Sequence, residues 1–405
     1  MINQEKHLDK APLIDSFVAS NLQTSGEGQG KHDDSSSASS ISSIETARPS
    51  TSQRLNDPST TCSFLWQEYF EEELFLETTL PNERRAIYHA YVSRPKSAEA
   101  PLIICHHGAG STGLSFALFA KELQRALPRV GIMSIDARGH GSTVLTSSGI
   151  SDANYAIDEL AKDFVNMINL CTDYIKPEAC PSLVLVGHSL GGAVVTNVAS
   201  SGIFGSKILG LAILDVVEGS ALEALKIMQS YLSKRPKSFS SVENAVDWHL
   251  RSRTIKNPNS AKVSVPSLLC ATSDERWTWR TELAETEPFW KDWFDGMSNK
   301  FLSSRCAKLL LLAGTDRLDK ELMIGHMQGM YNVPLLYKCI SRFCSCLLLV
   351  GKFQLEVLPE AGHFVQEDLP KVVAEAVAEF VERNDRSKMI LPPKVSDLIK
   401  QGKKI

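Results

Sequence analysis

The stretch Leu183-Val184-Leu185-Val186-Gly187-His188-Ser189-Leu190-Gly191-Gly192 limits what this chain can fold into more than any other. An apolar run of strand length meets Gly-x-Ser-x-Gly, and an apolar, helix-like segment follows. A strand can pass into a helix over so few residues only through a sharp turn, with Ser189 at its apex. Gly187 and Gly191 lack a Cβ, so strand and helix can pass close to that apex. In this setting the pentapeptide reads as a nucleophile elbow. Without the flanking strand and helix it would be a tight glycine turn with an incidental serine.

The rest of the chain extends the same rhythm. Tyr88 to Ser93 alternates like an edge strand. Leu102 to Cys105 reads as a short buried strand that ends in His106-His107-Gly108-Ala109-Gly110, and Ser115 to Leu127 reads as a helix. Gly131 to Ile135 is a strand running into Asp136-Ala137-Arg138-Gly139-His140-Gly141. Leu160, Phe164, Met167, Ile168 and Cys171 fall on one helical face. Ile208 to Leu214 is a buried strand ending at Asp215. From about 218 to 300 helix formers and tryptophans (Trp248, Trp277, Trp279, Trp290, Trp293) interrupt the pattern, which reads as a helical cap inserted between two strands. Lys308 to Leu312 and Phe353 to Leu358 resume the sheet. Val372, Val373, Ala376, Val377, Phe380 and Val381 make a closing amphipathic helix. Strands alternating with helices imply a mainly parallel central sheet covered on both faces, with ligands at the carboxyl ends of the strands.

Composition excludes several classes. A net charge of −4 over 405 residues leaves no electrostatic footprint for nucleic acid or an anionic membrane. No apolar run is long and clean enough to span a bilayer, and Met1 to Phe17 has no apolar signal-like region. The 9 cysteines are scattered, which suits reduced thiols in the cytoplasm or nucleus. No spacing suggests a metal site, and no cofactor is implied. His106 and His107 leave a strand on opposite faces and would not share a metal. Residues 1–60 are polar and Ser-rich and read as a disordered tail, with a globular domain over 61–390 and a short tail over 391–405.

A serine hydroxyl needs a base in hydrogen-bond reach and a carboxylate to orient that base. The α/β-hydrolase chain order is Ser, acid, His, which places the base at His363 after the last strand. His188 then packs beside the elbow, and His140 is structural in its loop. For the acid, position slightly favours Asp316 after the penultimate strand. Asp319 is close by, and Asp215 holds a known alternative position. The oxyanion donors fall to the backbone N–H of Leu190 and of Ala109.

Several stretches carry a closer likeness: Leu214-Asp215-Val216-Val217-Glu218-Gly219, Arg235-Pro236-Lys237-Ser238-Phe239, Trp277-Thr278-Trp279-Arg280, Leu310 through Asp319, and Ile324-Gly325-His326-Met327-Gln328-Gly329. From about Phe64 to Asp385 the chain resembles the protein phosphatase methylesterases. These are α/β-hydrolases that remove the methyl ester from the C-terminal leucine of the type-2A protein phosphatase catalytic subunit. The resemblance implies that subunit as partner, through its C-terminal tail and its active-site face. It also implies that the acid is the Asp of Asp-Val-Val-Glu-Gly, here Asp215, leaving Asp316 a supporting carboxylate. In that family the triad aligns only on partner binding. Other readings are a general small-ester carboxylesterase and a phosphatase-binding inhibitory regulator with secondary esterase activity.

The chain departs from the family twice. An acidic insertion that some relatives carry before Trp-x-Trp-Arg is missing. Residues 330–351 form an apolar, Cys-rich stretch without which Gly329 would join Lys352 as the family reads. Gly329-Met330-Tyr331 can be encoded by a splice-donor-like string and Val350-Gly351 by an acceptor-like one. The stretch therefore reads as a translated intron, a non-native insertion, against the alternative of a genuine surface helix.

Overall fold

The computed structural model describes residues 65–147, 150–175, 181–314, 319–327 and 353–385. The calls on the tails 1–60 and 391–405, on 330–351 and on Asp316 fall outside these residues.

The strands are β1 (Glu72–Leu80), β2 (Arg84–Ser93), β3 (Leu102–His106), β4 (Gly131–Ile135), β5 (Val144–Ser147), β6 (Ile150–Ser151), β7 (Leu183–His188), β8 (Ile208–Leu214), β9 (Ser238–Phe239), β10 (Leu269–Ala271), β11 (Trp277–Trp279), β12 (Ala307–Leu312) and β13 (Phe353–Val357). Six of them, in the order β13-β12-β8-β7-β3-β4, run parallel. β2 joins β4 antiparallel, and β1 covers the other side of β2. Tyr88 to Ser93 is thus interior, not an edge. Its alternation is overridden because β1, which the hydrophobic pattern does not announce, pairs along its whole length.

The helices are α1 (Ala117–Ala126), α2 (Ile157–Ile175), α3 (Leu190–Ser201), α4 (Glu218–Lys234), α5 (Val242–Arg251), α6 (Pro258–Ser264), α7 (Trp290–Phe294), α8 (Met297–Ser303), α9 (Lys320–Met327), α10 (Val365–Asp368) and α11 (Pro370–Asn384). The central strands are buried on both sides because helices lie on both sides. On β7, Leu185 joins the core with Phe164, Met167 and Ile168 of α2, whereas Val184 and Val186 join the core with Phe119 of α1 and Phe380 of α11. Strand side chains alternate in direction, so a strand between two cores must be apolar at every position. Each such side chain contributes about 1.5–3 kcal/mol relative to exposure. Gly210 on β8 admits the Phe380 ring, since a Cβ there would lie 2.5 Å from a ring carbon. On α11 the expected face is buried except for Val372, which is 41% exposed. The helix opens at Pro370, and Val373 already points into the core, so its neighbour turns outward.

Between β8 and β12 the chain leaves the sheet. α4 to α8 and the small antiparallel sheet β10-β11-β9 lie here. This segment has its own apolar cluster of Phe239, Ala245, Val246, Ile255 and Leu269, flanked by Trp248, Trp277 and Trp279. Trp290 and Trp293 instead pack into the main core. Glu218, at the start of α4, accepts from the N–H groups of Gly296 and Ser298, at 3.0 and 2.9 Å, and so ties the two ends of the segment together.

Candidate active site

The elbow is built as steric reasoning requires. β7 ends at His188, and α3 begins at Leu190. Ser189 between them has φ 52° and ψ −122°, a strained conformation for a residue with a side chain. A Cβ on Gly187 would fall 2.4 Å from the Gly191 carbonyl oxygen, and one on Gly191 would fall 2.1 Å from that of His106. Both positions therefore require glycine.

Asp215 follows β8, and it too has positive φ, 53°. Its N–H donates to the Leu311 carbonyl at 2.7 Å, which fixes the turn against β12. The Ala313 N–H donates to its Oδ1 at 2.8 Å. Its Oδ2 lies 2.8 Å from His363 Nδ1, which donates to it. The carboxylate is buried and the imidazole partly exposed, so one face of the ring opens toward a ligand. With Nδ1–H committed, Nε2 of the neutral ring is the basic nitrogen. Ser189 Oγ makes no hydrogen bond among the described residues. Serine and histidine line one cavity.

The base is held from two sides. His188 Nε2 donates to the His363 carbonyl at 2.8 Å, and the two rings sit 4.8 Å apart. Asp368 accepts from the Gly362 N–H at 2.6 Å and from the Lys256 N–H at 2.7 Å, linking the histidine loop to the cap. Glu367 beside it accepts from the Ser264 hydroxyl at 2.5 Å. Burial pushes the Glu367 carboxyl up to about 8, against that hydrogen bond. Sequence reasoning missed Glu367 and Asp368. Their signal was only an acidic pair just beyond Gly362-His363.

The loop after β3 faces the elbow. A Cβ on Gly108 would lie 3.0 Å from that of Ser189. The Gly110 N–H donates to His140 Nε2 at 2.9 Å, while His140 Nδ1 donates to the Arg138 carbonyl at 2.8 Å. The Ser111 N–H donates to the Gly108 carbonyl. Among the described residues the N–H groups of Ala109 and Leu190 are not spent in this way. Leu190 also opens α3, where the helix dipole favours negative charge. His107 accepts from the Ala137 N–H at 2.9 Å, so it supports the neighbouring loop. Burial holds His107 and His140 below the ordinary histidine range, in the neutral form these contacts need.

Asp319 does not approach His363. Its carboxylate takes the Leu322 N–H at the start of α9 and the Ser298 hydroxyl, at 2.9 and 2.6 Å. Among the described residues no group of three or more His, Cys, Asp or Glu side chains could hold a metal. None of the described helices is long and apolar enough to cross a membrane.

Ser189, Ala109 and His363 line one cavity with about 900 Å³ of empty space, counting its open mouth. Its other wall is the cap, with Tyr231, Arg235 and Trp248 among the lining residues. That space suits the end of a peptide as well as a small ester.

Residues 103–376 match the alpha/beta hydrolase family. The protein phosphatase methylesterase 1 of Aspergillus fumigatus is 47% identical over 96% of this chain and 88% of its own length. That of Schizosaccharomyces pombe is 39% identical over 82% and 87%. The chain belongs to the protein phosphatase methylesterase family of α/β hydrolases. It is a carboxylic ester hydrolase. Among solved structures, E-2-(acetamidomethylene)succinate hydrolase overlays with a TM-score of 0.57 at 15% identity, covering 77% of this chain and all of the other. A peroxisomal α/β-hydrolase of Saccharomyces cerevisiae overlays with a TM-score of 0.56 at 12% identity, covering 81% and 92%. At such identities the overlays speak to the fold alone.

Proposed function

We propose that this methylesterase-family chain hydrolyses the methyl ester on the C-terminal leucine of the type-2A protein phosphatase catalytic subunit. Ser189 attacks the ester carbonyl while His363 Nε2 takes its proton, and Asp215 holds the ring and stabilises the imidazolium. The N–H groups of Ala109 and Leu190 receive the tetrahedral oxyanion. The imidazolium then protonates the departing methoxide, which leaves as methanol, and a leucyl acyl-enzyme remains. Water attacks this ester with His363 again as base, and the free carboxylate departs.

The observation that carries the reading is the hydrogen bond to buried Asp215 from His363, which lines the same cavity as the strained Ser189. The cavity beneath the cap has room for the end of a protein tail as well as for a small ester. The partner would engage through its tail and its active-site face, in the cytoplasm or nucleus. The test is to incubate the chain with methylated phosphatase and follow ester loss beside hydrolysis of p-nitrophenyl acetate. Turnover of the small ester with none of the methylated protein would reject this substrate.

A further inference from the structure

The cavity contains one charge that the chemistry above does not use. Arg235 sits at the C-terminal end of α4 and lines the cap side of the cavity. Its guanidinium carbon lies 3.7 Å from the centre of the Trp279 ring, a stacked cation–π contact. That ring is itself held, because Trp279 Nε1 donates to the Pro236 carbonyl at 2.7 Å. Among the described residues no carboxylate pairs with the guanidinium, and no side-chain or backbone oxygen accepts from it. Tyr231 and Glu282 are near enough to favour its charge, but Glu282 is exposed and caps the turn at Ala284. Burial lowers the Arg235 pKa from the ordinary arginine value.

The other enclosed arginines face oxygen partners, although among the described residues Nη1 and Nη2 of Arg138 lie in ion pairs without making a hydrogen bond. Arg138 is paired with Asp163 at 2.6 Å and Asp152 at 3.1 Å. Arg280 donates to the carbonyls of Leu269 and Ser267. Arg235 is half-buried, and a planar donor fork without such partners at the wall of a cavity matches a carboxylate. The reacting ester must lie at Ser189, on the sheet side. A ligand that also reaches Arg235 on the cap side carries its anion apart from the scissile bond.

We propose that Arg235 is a specificity residue that receives a carboxylate side chain on the acyl part of the substrate, so that the enzyme selects acidic peptide esters. The inference rests on the ester-hydrolase reading of Ser189 and adds the charge of the preferred substrate. Its test uses N-acetyl tetrapeptides ending in leucine methyl ester, with one glutamate at each upstream position in turn, beside their glutamine counterparts.

For the full chain, kcat/KM for the best glutamate peptide should exceed that of its glutamine counterpart by about tenfold to a hundredfold, mainly through KM. That is the size of one charge-assisted hydrogen bond. Arg235→Gln should bring the ratio close to one, and Arg235→Lys should keep part of it. A ratio near one in the unsubstituted chain, with p-nitrophenyl acetate still hydrolysed, would overturn the proposal and leave the esterase standing. An unchanged ratio in Arg235→Gln would overturn it equally. Hydrolysis of no ester at all, with Ser189 unlabelled by a fluorophosphonate, would instead remove the function on which it rests.

Discussion

Two residues carry the backbone strain of the candidate site, Ser189 and Asp215, each with φ near +50°. Such conformations cost about 1–3 kcal/mol apiece and persist because the surroundings enforce them. At Ser189 the strain lifts Oγ clear of strand and helix. At Asp215 it turns the carboxylate toward both the Ala313 N–H and His363. Ser189→Ala should reduce ester hydrolysis by about three to six orders of magnitude, because no other group can form the acyl-enzyme. Capture of the phosphatase should survive, and a pull-down beside the kinetic assay separates the two. Asp215→Asn should cost about four orders of magnitude, since an amide cannot hold the same tautomer or stabilise the imidazolium. Asp316→Asn should cost far less, and kcat for the two folded variants ranks them. The reverse order would move the acid to Asp316.

At the level of elements, polar ties reinforce the apolar packing by which Trp290, Trp293 and Met297 seat the cap on the main core. Glu218 begins α4 and satisfies two N–H groups next to α8. Asp319 begins α9 and takes the Ser298 hydroxyl in the same region. Asp368, in α10, grips both Gly362 and Lys256. Glu218→Ala leaves the Gly296 and Ser298 amides without their acceptor and should destabilise the fold by about 1–3 kcal/mol. Thermal melting measures that loss. Since the cap forms one wall of the cavity, KM for a peptide ester should rise more than KM for p-nitrophenyl acetate. Equal changes in both would show that the tie serves stability alone.

Across the whole molecule, buried histidines give stability a definite pH dependence. Burial lowers His106 and His249 to about 4, and lowers His107 and His140 as well. The unfolded chain titrates these groups near ~6.5. Below that pH it binds protons that the folded chain refuses, so their stabilisation is present above about 6.5 and is lost as pH falls toward 4. His89 has the opposite sign. Burial opposes its charge, but Asp136 at 2.6 Å and Glu73 at 2.9 Å outweigh burial and hold it up at about 9. Its contribution is complete below about 6.5 and fades as pH rises through 9. Glu367, raised to about 8, loses its contribution between the ordinary glutamate range and 8. The melting temperature should therefore peak near pH 6.5–7. At pH 5 it should be lower by about 5 °C or more, and it should decline again above pH 8. Scanning calorimetry across pH 4.5 to 9.5 checks this, and a flat profile would contradict it.

The sequence by itself determined the central sheet and pointed to Ser189 and His363 as candidate site residues. β4 and β8 have the expected bounds, β3, β12 and β13 agree to within a residue, and β7 begins at Leu183 with the apolar run. A strand buried on both faces must be apolar throughout, and that is visible locally. Gly187, Ser189 and Gly191 were legible because steric closure at the elbow admits few alternatives. His363 was legible from its place after the last strand. β1 was not, because its exposed side alternates charge with apolar residues and its pairing with β2 is a tertiary event. The small sheet β9 to β11 escaped because strands of two or three residues leave no periodicity. The Asp215–His363 contact joins residues 148 apart in the chain, and position alone leaned toward Asp316. The neutral state of His140, the burial of Glu367 and the isolation of the Arg235 guanidinium were likewise decided only by tertiary structure. Charge state and pairing depend on which groups are brought together and which are taken out of water, and no local pattern encodes either.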